Sequence, residues 1–311
     1  MSKDKSWKDA LLSSGIPLEQ AIHQKVKSLG IDLVKEYSYQ RKTEEGKLED
    51  FSVDCYFQHF IDDLCLEYFV EAKYAYDNKI WIFKPQKFSE RFSEDLVSQD
   101  LYITLMNKSN VTYSPLKFVD KALETISSHL CDNGIVIEKD KKSHDRHEIK
   151  RGIEQLRYAL IHRTVELLKD SIFGSVNQNN VIILIPIIVT TAKIWRLKEI
   201  GDGIISSIKE SEELSEIAEE KDYIVLFNPP NNENSSYSLS LFETIFKNEQ
   251  DRSFIDLLKN IFPRLDGYLY NFIIRFHEEK PNYFIVVNYD YFSELIDDSK
   301  AFFKAIYFED K

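Results

Sequence analysis

The fold of this chain is decided by two runs, Phe51-Ser-Val-Asp-Cys-Tyr-Phe57 and Leu64-Cys-Leu-Glu-Tyr-Phe-Val-Glu-Ala-Lys73. Both are rich in the aromatic and β-branched residues that favour strands, and only His59–Asp63 between them offers turn residues. We therefore predict a β-hairpin. If Asp62 and Asp63 form a tight turn, strand pairing places Asp54 opposite Glu71.

Two acids and one amine meet on one face of this predicted hairpin. Cross-strand partners hold their Cβ atoms ~4.5–5.5 Å apart, which allows one hard cation to bridge the carboxylates of Asp54 and Glu71. Because side chains alternate along a strand, Lys73 shares the face of Glu71, whereas Val70 and Ala72 point the other way. The arrangement predicts a site for Mg²⁺ and an activated water. For Glu71 and Lys73 the alternative is a solvated strand face whose charges pair along the strand. For Asp54 it is an ordinary aspartate beside a turn, although this residue lies in mid-strand, where aspartate is disfavoured.

Helical and buried segments flank the hairpin. Residues 17–29 begin with proline, repeat apolar residues at helical spacing and end before Gly30, which predicts an amphipathic helix. A second amphipathic helix is predicted at His147–Asp170. The run Val181–Val189 is apolar apart from its proline, as expected of a strand covered on both faces. Together these segments predict an α/β fold, a three-layer sandwich with a central mixed β-sheet flanked by helices.

The remaining segments set the predicted domain organisation. We predict a core over residues 1–228 with an insertion at about 84–134, and a C-terminal α+β extension over 229–311 that packs on the core. The alternative is that residues 229–311 supply the completing strand and helices of the same domain. Smaller elements are predicted within these units: a helix at Leu116–Leu130, a strand at Gly134–Glu138, a strand at Ala192–Leu197 as the partner of Val181–Val189, a helical segment at Ser253–Phe276 and a strand at Tyr283–Asn288.

The hairpin carries a family motif. Ser52-Val-Asp54 on the first strand and Val70-Glu-Ala-Lys73 on the second resemble the PD-(D/E)XK phosphodiesterase superfamily, whose fold is called restriction-endonuclease-like. Val53 stands where the family name has proline. The resemblance implies hydrolysis of phosphodiester bonds that depends on Mg²⁺ or Mn²⁺.

The resemblance also implies a role for each residue of the motif. Asp54 and Glu71 would bind the divalent metal, together with the backbone carbonyl of Ala72. Lys73 would orient or deprotonate the attacking water and stabilise the charge that develops at phosphorus.

Two further residues match the family outside the hairpin. Glu19, on the helix before it, occupies the place where many members supply an extra acid for the metal site; the alternative is an acid favoured by the helix dipole. Gln155 and Tyr158 resemble the Gln/Tyr helix of RecB-like exonucleases, which approaches the catalytic lysine or a substrate phosphate. Their spacing is one residue shorter than in that family, and a packing and hydrogen-bonding pair is the alternative.

Other charged residues have more than one explanation. Arg157, Arg163 and the basic pair at 150–151 could meet phosphates, but a solvated helix face explains them equally well. His144 and His147 lie beside acids and invite a metal site, yet a solvated loop explains them better.

Charge and cysteine usage narrow the class of protein. The net charge of −12 over 311 residues argues against a general polyanion binder, but residues 211–311 hold 20 Asp and Glu against 10 Lys and Arg, which leaves the first 210 near neutral. No segment has the form of a signal peptide or the length of a membrane span. The three cysteines show no zinc or disulfide pattern, so we predict a cytoplasmic protein with no membrane partner.

We therefore expect a metal-dependent nuclease that acts on DNA. A catalytically silent module of the same fold, used for binding or assembly in a nucleic-acid-processing or defence complex, is the main alternative, and an RNA-directed enzyme would share the chemistry. Cutting both DNA strands usually requires two such sites, which leaves a homodimer open. A partner ATPase or another defence or repair protein is left open in the same way.

Overall fold

The structure is a computed structural model that describes residues 7–31, 34–42, 47–62, 64–86, 128–138, 144–173, 181–198, 204–229, 231–247 and 283–309. The strands are β1 (Val34–Lys42), β2 (Leu48–Ile61), β3 (Leu64–Lys73), β4 (Lys79–Pro85), β5 (Leu130–Glu138), β6 (His144–Asp145), β7 (Val181–Thr190), β8 (Lys193–Leu197), β9 (Ala218–Lys221), β10 (Tyr223–Phe227) and β11 (Tyr283–Asn288). The helices are α1 (Trp7–Ser13), α2 (Ile16–Ser28), α3 (His147–Phe173), α4 (Ile204–Glu210), α5 (Leu214–Ile217), α6 (Asn232–Lys247) and α7 (Phe292–Glu309), and a 3₁₀ turn covers Tyr289–Tyr291.

The described strands form one mixed sheet in the order β1-β2-β3-β7-β11-β10-β5-β4-β8-β9, with β6 beside β5. Neighbours run parallel at β3/β7, β7/β11, β5/β10 and β4/β8, and antiparallel elsewhere. Helices lie on both faces of this sheet. The predicted α/β class, with a mixed sheet flanked by helices, is confirmed.

The central hairpin has the predicted register over its paired residues. Ile61 lies opposite Leu64, and the pairing continues in step to Cys55 opposite Val70. It ends there, one residue before the predicted pair of Asp54 and Glu71. Asp62 has a left-handed φ of 53°, which a tight two-residue hairpin turn requires and which aspartate tolerates better than most residues.

Each face of the sheet packs against its own helices. On one side, α3 covers a buried cluster that includes Phe69, Ile188 and Val286. On the other, α2 and α7 cover a second cluster that includes Tyr68 and Ile187. Strand β7 contributes alternate side chains to both clusters, so the prediction that it is covered on both faces is confirmed. The helices predicted before the hairpin and after it are present as α2 and α3.

The predicted partner of β8 is wrong. A strand does form at Lys193–Leu197, but it pairs with β4 and β9, because both edges of β7 are already taken by β3 and β11. The Thr191 hydroxyl donates to the carbonyl of Ala75 (2.8 Å) and accepts from its N–H (2.9 Å). The segment that connects β3 to β4 therefore lies beside the segment that connects β7 to β8. After these segments the two chains pair again in parallel, as β4 and β8.

The C-terminal segment contributes directly to the central sheet. The strand predicted at Tyr283–Asn288 is present as β11 and lies between β7 and β10. The helix predicted at Leu116–Leu130 is wrong at its end, because Leu130 begins β5; residues 116–127 lie outside the described residues. The helical segment predicted at Ser253–Phe276 also lies outside them.

The three cysteines of the chain, Cys55, Cys65 and Cys131, are all free and buried. Within the described ranges, no helix combines the length and apolar character needed to cross a membrane.

A buried ion pair joins the hairpin to α3. The carboxylate of Glu67 is fully buried and accepts two bonds from the Arg163 guanidinium, from Nε to Oε2 and from Nη2 to Oε1, each 2.8 Å long. Gln58 donates a further 2.8 Å bond to Oε1. Paired bonds of this kind fix both distance and orientation, so Glu67 and Arg163 set how α3 lies on β3.

We expect Arg163→Met to lower the free energy of unfolding by about 3–5 kcal/mol, because Glu67 would remain buried without its cation. The double variant Glu67→Gln/Arg163→Met should recover much of that loss. Urea unfolding followed by circular dichroism measures both changes. Arg151→Met, at an exposed position of the same helix, is the matched control and should change the free energy by less than about 0.5 kcal/mol. An equally small effect of Arg163→Met would contradict the prediction.

Candidate active site

The acid and amine predicted on β3 lie on the face of the sheet that meets α3. Lys73 Nζ donates to Glu71 Oε1 at 2.6 Å and to Gln155 Oε1 at 3.1 Å. Val70 and Ala72 belong to the cluster on the opposite face, so the predicted alternation along β3 is confirmed. Gln155 therefore reaches the lysine, as the resemblance implied for this helix.

Asp54 lies at a β-bulge. Lys35 of β1 pairs with Tyr56 and Tyr37 pairs with Val53, so the single residue between them on β1 faces two residues of β2, Asp54 and Cys55. A bulge bends its strand and redirects a side chain, and such features are common beside active sites. Here the Asp54 Oδ2 accepts a 2.7 Å bond from the backbone N–H of Ala72. This bond holds the Asp54 carboxylate against β3, beside Ala72, which follows Glu71 in the sequence.

Glu71 is a buried carboxylate whose hydrogen bonding is incomplete. Its side chain is 2% exposed, and Oε2 has no hydrogen-bond partner among the described residues. Burial raises the pKa of Glu71 to about 8, and the charge of Asp54 acts in the same direction, whereas Lys73 lowers it. The protein therefore holds two carboxylates close together and leaves one buried oxygen without a donor.

Helix α2 brings Glu19 to the same place. Its first turn starts after Gly15, which has a left-handed φ of 83°. Burial raises the pKa of Glu19, the carboxylates of Asp54 and Glu36 raise it further, and Lys73 lowers it. Glu19 thus lies within electrostatic range of the predicted metal ligands.

Two residues near the site were not predicted from sequence. His23 lies one turn after Glu19 on α2, and its Nε2 is 3.3 Å from the carbonyl oxygen of Asp54. Glu36 is the β1 residue opposite the bulge, and its charge raises the pKa of Asp54, where burial is the main cause of the increase. The spacing of Glu19 and His23 on one helix face was a usable signal, whereas Glu36 required the β1–β2 register.

The predicted ligands suit a divalent cation that retains water. Among the described residues, no group of three or more His, Cys, Asp or Glu side chains is arranged to hold a metal ion. Mg²⁺, however, is commonly bound by one or two carboxylates and completes its shell with water and substrate phosphates. Asp54 and Glu71, together with the carbonyl of Ala72, which follows Glu71, fit that pattern, and Oε2 of Glu71 has no hydrogen-bond partner among the described residues.

Other candidates do not lie at this site. Tyr158 is buried and packs edge-on against Tyr237, as the packing alternative predicted. Arg157 is 1% exposed and donates to Asn228 and Asn234, so the solvated helix face is wrong for this residue. Arg163 is half-buried and bound to Glu67. The basic pair at 150–151 is exposed. His144 and His147 are exposed beside the start of α3, which agrees with a solvated segment.

No protein-family model matches the chain, and neither a curated protein nor a solved structure matches it significantly.

The raised pKa of Glu71 predicts a pH-dependent stability in the metal-free protein. Between pH 4.5 and about 8, Glu71 is protonated in the folded state and ionised in the unfolded state. Its contribution to stability is therefore fully present below pH 4.5 and is lost as the pH rises toward 8. Glu71→Gln keeps the side chain neutral, so the stability of this variant relative to the native protein should rise over that range. Urea unfolding in the presence of a chelator measures it, and a difference independent of pH would contradict the assignment.

Proposed function

We propose that this protein is a nuclease of restriction-endonuclease-like fold that hydrolyses phosphodiester bonds of DNA with Mg²⁺ or Mn²⁺. The observation that carries the proposal is the incomplete hydrogen bonding of Glu71 beside Asp54, with Lys73 attached to the same carboxylate. A buried carboxylate oxygen without a donor is costly in a protein that has no use for it. A cation held there would satisfy it.

The residues of the site have different roles in this reaction. When bound by Asp54, Glu71 and the Ala72 carbonyl, a divalent cation supplies Lewis-acid stabilisation of phosphate charge and a more acidic water. Lys73 presents its ammonium group beside Glu71, where it orients the attacking water and stabilises charge that develops on the phosphate oxygens.

Supporting contacts hold these groups in place before substrate arrives. The Ala72 N–H fixes the Asp54 carboxylate, and the Gln155 side chain fixes the ammonium of Lys73. Such preorganisation lowers the cost of reaching the transition state. The free and buried state of all three cysteines supports a reducing environment, and we place the protein in the cytoplasm.

Cleavage of plasmid and linear DNA with Mg²⁺ or Mn²⁺ tests the proposal. We expect Lys73→Ala to lower kcat by about 10²-fold or more, because it removes a group that acts on the developing charge. The control is Lys193→Ala, which removes an exposed lysine paired only with an exposed glutamate. Circular dichroism verifies that each variant is folded.

Three results would argue against it. Equal cleavage by native protein and Lys73→Ala would place the activity elsewhere or in a contaminant. Metal binding without cleavage of any DNA would favour the catalytically silent binding module. Cleavage of RNA in preference to DNA would keep the chemistry and change the substrate.

Variants of Gln155 and Tyr158 should differ in kcat in the same assay. Gln155→Leu should lower kcat by roughly tenfold, because Lys73 loses the acceptor that positions it. In the Lys73→Ala background the same change should have little further effect, since Gln155 acts through the lysine. Tyr158→Phe keeps the packing against Tyr237 and should leave kcat unchanged. A loss of activity in Tyr158→Phe, or full additivity of Gln155→Leu with Lys73→Ala, would contradict this division of roles.

A further inference from the structure

An arginine on β1 contacts two aromatic rings. The guanidinium carbon of Arg41 lies 4.1 Å from the ring centre of Phe51 and 4.4 Å from that of Tyr158. Both distances lie within the range of a cation–π interaction, and a planar guanidinium can stack on aromatic rings. The N–H groups point outward from the edge of that plane, and the edge is the part that binds carboxylates and phosphates with two bonds.

The positive charge of Arg41 is not neutralised by an ion pair within the described ranges. Its Nε is buried and has no hydrogen-bond partner there, although the side chain as a whole is partly exposed. Glu49 lies opposite Arg41 in the β1–β2 register, but the two side chains form no ion pair among the described residues. Arg157 and Arg163 each have polar partners in the fold, so Arg41 differs from both.

Arg41 lies on the same face of the sheet as the candidate site, with Tyr39 between them. The hydroxyl of Tyr39 donates to the backbone carbonyl of Gln155 at 3.2 Å, and its ring stacks on Phe51 with centres 5.9 Å apart. Burial raises the pKa of Tyr39, Arg41 lowers it and Glu71 raises it, so Tyr39 lies within electrostatic range of both charges.

The separation suits a nucleic-acid strand. Phe51, which carries the guanidinium on its ring, precedes Asp54 by three residues along β2, and strand geometry makes this about 10 Å. Phosphates of one DNA strand advance by about 3.4 Å per nucleotide along the helix axis, and the distance between successive phosphates is roughly twice as large because the strand winds around that axis. A strand with its cleaved bond at Asp54 and Glu71 would therefore pass Arg41 about one or two nucleotides away.

We propose that Arg41 binds a backbone phosphate of the nucleic-acid substrate about one or two nucleotides from the cleaved bond, with Phe51 and Tyr158 fixing the plane of its guanidinium. This assignment rests on the proposed function. It makes Arg41 a substrate-positioning residue that supplies affinity and register without taking part in bond breaking.

Binding of a short fluorescein-labelled DNA duplex in a chelator, measured by fluorescence anisotropy over a range of salt concentrations, tests the assignment without turnover. We expect Arg41→Gln to weaken binding by up to roughly tenfold and to reduce the slope of log K against log salt by about 0.9, the loss of one phosphate contact. Arg41→Lys should keep most of the salt slope, because the positive charge remains. It should lose affinity, because an ammonium group cannot form two parallel bonds to a phosphate as a planar guanidinium does. Lys304→Gln removes an exposed charge from α7, on the other face of the sheet, and should change neither quantity.

The outcomes separate this assignment from the proposed function. A salt slope that is the same in Arg41→Gln and the native protein, with both folded by circular dichroism, would overturn the role of Arg41 and leave the nuclease proposal intact. A fall in slope confined to the glutamine variant would support it. If Arg41→Gln fails to fold, the lysine variant decides, since a native salt slope with lowered affinity supports the contact and native affinity overturns it. Failure of the native protein to bind either duplex or single-stranded DNA would overturn both proposals.

Discussion

The register of the β2–β3 hairpin, with Ile61 opposite Leu64, determines which side chains of β3 face the candidate site. Because side chains alternate on a strand, a slip of one residue would exchange the two faces of β3. Glu71 and Lys73 would then enter the apolar layer under α2 and α7, and Val70 and Ala72 would meet α3 instead. Such a slip would be costly because it would move the charged side chains of β3 into an apolar layer without their partners on α3, so the fold and the site depend on the same pairing.

The layer between β3 and α3 contains two buried glutamates that differ in how fully they are bonded. Both oxygens of Glu67 accept hydrogen bonds, and the pair with Arg163 is complete within the fold. Glu71 lies four residues further along β3. Lys73 donates to one of its oxygens, and the other has no donor among the described residues. The same residue type on the same strand face thus appears once as a structural tie and once as an open ligand. This contrast is physical support for assigning function to Glu71 rather than to Glu67.

The parts of the molecule that could be predicted from sequence depend on local pairing. The hairpin register follows from a short turn, and the shared face of Glu71 and Lys73 follows from alternation; both were predicted correctly. Gln155 could be placed near Lys73 only through the family resemblance. The partner of β8 could not be found locally, because it depends on which strands already occupy the edges of β7. The burial of Arg157 and the ion pair of Arg163 with Glu67 were missed for a related reason, since both depend on partners that other elements supply.

The bulge at Asp54 divides β2 into two segments of opposite phase. Phe51 and Val53 contact the cluster under α3, whereas Cys55 and Phe57, also at odd-numbered positions, belong to the cluster under α2 and α7. The one extra residue of the bulge allows both halves of β2 to direct their apolar side chains into the neighbouring clusters. Chain length at this point is therefore constrained more tightly than residue identity, and a lineage of such sequences could exchange side chains along β2 far more freely than it could gain or lose a codon there.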